Sequence, residues 1–241
     1  MISYPINNGI NGLPKILGDK SISHRAIIIP AISNGICEIT NLLKSEDVLM
    51  TLEAFRSMGV KILEEKNKII IFGKGLNSLK KPENDIYLGN SGTSARLLTG
   101  LLASQKFKSV LKGDESLSKR PMKRISEPLS LMEANIQTNN GKLPLIIMGK
   151  NLKPSNIDLK IPSAQIKSGL ILASLHINGE TNLMEHKITR DHTEIMLKSF
   201  GAKIKTEKFE NKKNIKIFGN NELIPKNIEV PNDLSSSAFF I

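Results

Sequence analysis

The sequence predicts an α/β domain of three equivalent units around a pseudo-threefold axis, each a βαβαββ run of strand, helix, strand, helix and hairpin. Two repeated patterns with one shared period predict it. In the first, small polar residues and a cation open an apolar helix: Lys20-Ser21-Ile22-Ser23-His24-Arg25, Ser91-Gly92-Thr93-Ser94-Ala95-Arg96 and Ser163-Ala164-Gln165-Ile166-Lys167. The cations Arg25, Arg96 and Lys167 stand 71 residues apart in both intervals. In the second, an amphipathic helix ends in a tight turn and a short β segment. Its turns, at Gly59, Glu133 and Gly201, are 74 and 68 residues apart. Self-similarity at a fixed period marks a repeated supersecondary unit, and regular αβ alternation argues for an α/β architecture.

In the first unit, the motif ending at Arg25 leads into the apolar run Ala26–Ser33, and Gly35–Ile39 is strand-like. A second helix follows Asp47, with Val48, Leu49, Leu52, Phe55 and Met58 at helical spacing. Gly59 suits the left-handed position that closes it. Lys68–Phe72 supplies a strand. The second unit has a strand at Ile86–Leu88, helices from Ser91 and from Met122, and a strand at Leu145–Met148. The third repeats the order with Ile157–Leu159, helices from Ser163 and His192, a closing Gly201, and Ile215–Phe218.

Adding the period to 163–167 predicts a further copy at 234–238, where Asp233-Leu234-Ser235-Ser236-Ser237-Ala238 again opens an apolar helix. One helical turn cannot bury its apolar face alone. The expectation is a fragment of a longer protein whose last residues begin a second domain.

Composition narrows the function. At 241 residues the chain is long enough to bury a core, and 39% hydrophobic with 24% charged residues is ordinary for a soluble globular protein. No apolar stretch approaches a membrane span, and no secretory or transit pattern follows Met1, so a cytoplasmic location is expected. Cys37 is the only cysteine, which excludes a disulfide framework or thiolate cluster. The four histidines show no zinc spacing, and no dinucleotide fingerprint, Walker loop or hydrolase serine elbow occurs. No metal or organic cofactor is expected. A net charge of +11 suits an anionic partner, either nucleic acid or a phosphorylated small molecule. Single-strand binders add stacking aromatics, and here Trp is absent and Tyr occurs twice. Most lysine runs read as solvated surface.

The helix starts carry the chemical argument. Opening amides and the helix dipole attract anions, and a Lys or Arg in the first turns adds a charge-assisted hydrogen bond. Each motif alone reads as an ordinary N-cap. A cation at the same offset in all three argues for convergence on a ligand bearing several negative groups.

These segments resemble those of the 5-enolpyruvylshikimate-3-phosphate (EPSP) synthase family. The similar motifs are Gly18–Ala26, Leu88–Arg96, Gly113–Met122, Pro162–Ser168 and Thr189–Glu194, in order from about Leu17 to the last residue. The Ser-Ala-Gln-x-Lys-Ser and Arg-Asp-His-Thr-Glu forms resemble the bacterial second class. The resemblance implies transfer of the enolpyruvyl group of phosphoenolpyruvate to the 5-hydroxyl of shikimate 3-phosphate, releasing phosphate. It implies no cofactor, no membrane or nucleic-acid partner, and a monomer at full length. It also implies two similar domains: residues 14–229 complete, with 1–13 and 230–241 belonging to the incomplete one. Carried over by motif, Lys20 touches both substrates, while Ser21 and Arg25 hold shikimate 3-phosphate. Gly92 and Arg120 line the phosphoenolpyruvate site. Ser163, Ala164 and Gln165 hold the shikimate phosphate and ring, Gln165 also nearing phosphoenolpyruvate, and Arg190 is a further anion contact. Asn90, Thr93 and Arg96 shape their loop. The catalytic Asp and Glu are expected beyond Ile241, so this chain alone is expected to bind without turning over. The alternatives are a UDP-N-acetylglucosamine enolpyruvyl transferase, a nucleic-acid-binding module, and a half that pairs with a separately encoded partner. The first is typified by Lys-Asn where Lys20-Ser21 stands and by a cysteine near Arg120, where this chain has none.

Overall fold

The structure, a computed structural model, describes residues 16–238. The first unit holds α1 (Lys20–Ala31), β1 (Asn34–Thr40), α2 (Glu46–Ser57), β2 (Lys61–Glu64) and β3 (Lys68–Lys74). The second holds β4 (Ile86–Tyr87), α3 (Gly92–Ala103), β5 (Lys108–Lys112), a short α4 (Glu115–Lys119), α5 (Lys123–Ser130), β6 (Asn135–Asn139) and β7 (Lys142–Met148). The third holds β8 (Asn156–Leu159), α6 (Ala164–Ser174), β9 (Glu180–Glu185), α7 (His192–Ser199), β10 (Lys203–Phe209) and β11 (Lys212–Phe218). Then come β12 (Ile228–Glu229) and α8 (Leu234–Ser237).

Each unit builds a four-stranded sheet, and the three share one order: β12-β1-β3-β2, β4-β5-β7-β6 and β8-β9-β11-β10. In each, the first two strands are parallel and the others antiparallel. The α/β architecture of three like units is as the period predicts. One element is displaced in sequence. The leading strand of the first sheet is β12, from beyond the third unit, with Ile39 opposite Ile228 and Thr40 opposite Glu229. Next to it the chain passes twice: Gly18 bridges Asn232 antiparallel, the Asp19 amide donates to the Pro231 carbonyl (2.8 Å), and the Asp233 amide donates to the Leu17 carbonyl (2.9 Å). The stub expected at 1–13 lies outside the described residues, as do 239–241 of the one expected at 230–241.

The opening helices form the interior. Ser23–Ala31 of α1, Leu97–Ala103 of α3 and Ile166–Ser174 of α6 are buried without a break. A helix that is apolar all round can only lie inside. The amphipathic α2 and α7 bury one face each. The repeated turns share a conformation too: φ is +83° at Gly59, +89° at Gly201 and +64° at Glu133. At Glu133 a residue with a side chain takes the left-handed position, and its carboxylate pairs with Lys153 at 2.6 Å. Among the described residues, no helix is long and apolar enough to cross a membrane.

Candidate functional site

The three interior helices start alike. Asp19, Ser91 and Ser163 cap α1, α3 and α6, each side chain accepting from the amide three residues on: Ile22 (2.7 Å), Ser94 (3.2 Å) and Ile166 (3.4 Å). At α1 the cap is therefore Asp19 and not one of the serines. The opening amides of a helix have no acceptor within it, and their dipoles point at whatever sits there.

A cleft of about 510 Å³ opens at these starts. Six of the predicted residues line it: Ser21, Arg25, Ser163, Ala164, Gln165 and Arg190. Thr93, Ile188, Thr189 and His192 line it as well, and no carboxylate does. A larger hollow of about 650 Å³ lies over the third sheet, but Asp158 and Glu180 line it beside its lysines. At the helix starts Arg25 and Arg190 meet the opening amides with no carboxylate in the lining, an arrangement suited to an anion.

Arg25 is built in rather than hung over the cleft. Its guanidinium donates to Thr193 Oγ1 (2.6 Å), the Ser21 carbonyl (2.8 Å) and Ser168 Oγ (2.7 Å). Burial lowers its pKa to about 10, with Glu194 and Asp19 opposing the shift, so it stays charged at neutral pH. Burial also lowers His192, and the nearby charge of Arg25 adds to the effect.

Gly92 and Arg120 form an adjoining group. A Cβ at Gly92 would come within 2.8 Å of an Nη of both Arg120 and Arg96, so only glycine lets the two guanidiniums lie there. Arg120 also donates to the Asn90 side chain. Arg96 donates to Gln165 Oε1 (2.9 Å), and Gln165 donates to Thr93 Oγ1 (2.9 Å). Gln165 thus joins the two groups. Asn90 accepts from Arg120, and Arg96 donates to the Gly92 carbonyl (3.0 Å). Thr93 accepts from Gln165 and also lines the cleft.

Lys20 is not among the residues lining the cleft; its half-exposed ammonium pairs with Asp47 in the first turn of α2. One expectation needs correction: Lys167 is not an anion-facing cation. It is fully buried, with Nζ 2.9 Å from both Glu185 and Glu194. The caps are 72 residues apart while the cations are 71 apart. Arg25, Arg96 and Lys167 therefore sit six, five and four positions after their caps. Each position turns a helix by about 100°, so the equal spacing in sequence points the third cation inward. Thr189 and His192 were within sight, beside Arg190 in the quoted motif, but nothing in their spacing marks them.

His24 is buried behind the cleft wall. Its Nδ1 lies 2.8 Å from Thr51 Oγ1 and 3.2 Å from Ser94 Oγ, tying the first unit to the second. Burial lowers its pKa to about 3, Asp47 opposing the shift and Lys20 and Arg25 adding to it. The unfolded histidine takes up a proton near pH 6.5, whereas the folded one does not until about pH 3. Stability from this group is therefore intact above pH 6.5 and falls as pH drops through that window, by about 1.4 kcal/mol per unit. Between pH 7 and pH 5, urea unfolding is expected to show a loss of about 2 kcal/mol, and His24→Asn to remove that part of it. An unchanged pH slope in the variant would contradict the burial described.

Among the described residues, no group of three or more His, Cys, Asp or Glu could hold a metal ion. The family model described as EPSP synthase (3-phosphoshikimate 1-carboxyvinyltransferase) matches residues 6–241. The chain belongs to the EPSP synthase family. A 3-phosphoshikimate 1-carboxyvinyltransferase of Ruthia magnifica subsp. Calyptogena magnifica is 52% identical over 235 residues, covering 97% of this chain and 53% of the relative. One from Citrifermentans bemidjiense is 47% identical over 234 residues, covering 96% and 54%. The solved EPSP synthase of Acinetobacter baumannii matches with a TM-score of 0.89 and 51% identity, over 95% of this chain and 52% of that one. The chain thus spans about half the length of the EPSP synthases it matches.

Proposed function

We propose that this chain grips the anionic substrates in the transfer of the enolpyruvyl group of phosphoenolpyruvate to the 5-hydroxyl of shikimate 3-phosphate, with release of phosphate. The observation that carries the reading is the carboxylate-free cleft in which Ser21, Arg25, Ser163, Ala164, Gln165 and Arg190 meet. Shikimate 3-phosphate would lie there, its phosphate between Arg25 and Arg190, with the Ser21 and Ser163 hydroxyls and the first amides of α6 as donors. Phosphoenolpyruvate would lie next to it, over Gly92 and Arg120, with Gln165 touching both. Lys20 would leave Asp47 to join them. The reaction must protonate a methylene carbon and deprotonate a hydroxyl, which takes a positioned acid and base. The cleft's lining offers no carboxylate for either, and in this reading the catalytic Asp and Glu are contributed from beyond this chain. Residues 14–229 form one complete three-unit domain in this reading, while 1–13 and 230–241 belong to a second. A cytoplasmic, monomeric full-length enzyme completes the proposal.

Calorimetric titration of the chain with shikimate 3-phosphate tests it. Binding is expected, with Arg190→Ala weakening it about tenfold through loss of one charge-assisted contact. No heat at millimolar ligand, with the fold intact by circular dichroism, would refute the reading.

A further inference from the structure

Arg190 lines the cleft yet makes no hydrogen bond or ion pair to any described residue, so the backbone on either side decides where its guanidinium points. Both neighbours are anchored to one buried charge cluster in the third unit. On the N-terminal side, the Thr189 carbonyl accepts from Lys167 Nζ (3.3 Å), and the Thr189 hydroxyl donates to Glu185 Oε1 (2.5 Å). On the C-terminal side, Asp191 Oδ2 lies 3.6 Å from Lys213 Nζ. The cluster is continuous: Glu185 and Lys167 are 2.9 Å apart, Lys167 and Glu194 2.9 Å, and Glu194 and Lys213 3.2 Å. Its four members are at most 2% exposed and come from β9, α6, α7 and β11.

We propose that the Lys167–Glu185–Glu194–Lys213 cluster consists of positioning residues that aim Arg190 at the bound phosphate. Two lysines and two glutamates balance within it, so it presents no net charge of its own to the ligand. Its influence on binding therefore passes through the geometry of 189–191. Buried charges paired with one another on several sides hold one arrangement, because displacing any of them leaves a charge unpaired in a poor solvent. That rigidity is what a preorganised anion contact needs. The inference rests on the reading of the cleft given above and adds to it the device that sets one of its cations.

A double-mutant cycle on shikimate 3-phosphate affinity tests it. Glu185→Gln keeps the side chain's size but removes a charge and one acceptor. It is expected to weaken binding about tenfold in the unmodified chain and not at all in the Arg190→Ala background. A merely structural loss would weaken both equally, and that additive result would overturn the proposal, as would no loss in the unmodified chain. Should Glu185→Gln fail to fold, Asp191→Asn serves in the same cycle, because its side chain is 42% exposed. Should the unmodified chain not bind shikimate 3-phosphate, the cleft reading fails by itself. A crystal structure of the variant then decides: displacement of 188–191 supports the cluster's role, and an unmoved segment ends it.

Discussion

Lys167→Met is expected to lower the thermal midpoint by on the order of 10 °C. Removing one partner of a buried pair costs about 3–5 kcal/mol, because the remaining charge stays desolvated and uncompensated. Here Glu185 and Glu194, at 2% and 1% exposure, both lose their Lys167 contact, and Glu194 Oε2 already has no hydrogen-bond partner. One kcal/mol moves the midpoint of a chain this size by about 2–4 °C, against a total stability of about 5–15 kcal/mol. The exposed pair of Lys119 with Glu115, at 2.5 Å, is the control. Its loss is expected to change stability by less than about 1 kcal/mol. Thermal unfolding followed by far-ultraviolet circular dichroism separates the two. A shift of under about 2 °C for Lys167→Met would mean that the cluster is not paired as described.

The second large effect is expected at Gly100, where α3 meets α6. A Cβ there would stand 1.9 Å from the Gly169 carbonyl oxygen and 2.4 Å from its carbon. Alanine is the better helix former by about 1 kcal/mol, but the obstacle is backbone, which cannot rotate aside. Overpacking of this kind costs about 1–3 kcal/mol and more where backbones must part. Gly100→Ala is therefore expected to destabilise on balance, by at least about 2 kcal/mol in urea. Gly169→Ala, whose Cβ would meet the Arg96 carbonyl at 2.7 Å and Ile125 Cδ1 at 3.0 Å, should cost less. Parting the helices also pulls Thr93 and Arg96 away from Gln165, whose bonds to them are 2.9 Å each. Affinity for shikimate 3-phosphate should fall with stability. A Gly100→Ala chain as stable as the original would show that the two helices are not in contact there.

Much of this was legible in the sequence because periodicity carries both fold and site. Apolar runs such as Ala26–Ser33 announce interior helices, and the recurring Ser and Gly before them announce the cleft. What stayed illegible has particular causes. β12 is two residues long, too short for any pattern to mark Ile228 and Glu229 as a strand, let alone as partners of Ile39 and Thr40. The inward turn of Lys167 depends on a single-residue difference between two periods, and a motif match overlooks that difference. The pairing of Lys20 with Asp47 joins two helices whose relative placement is tertiary. Ser21, Arg25, Ser163, Ala164 and Gln165 reach the cleft because each is a helix cap or lies within six residues of one.

The displaced strand β12 bears on how the chain comes off the ribosome. The first unit is synthesised first yet is the last to be finished, since the edge of β1 at Ile39 and Thr40 waits for residues 228–229. Until then an unpaired row of backbone groups is offered to any passing strand, its own or a neighbour's. The last partner to arrive therefore closes a ring from Ile39 to Ile228, about three-quarters of the chain, and that long-range closure is where slow or mistaken assembly would begin.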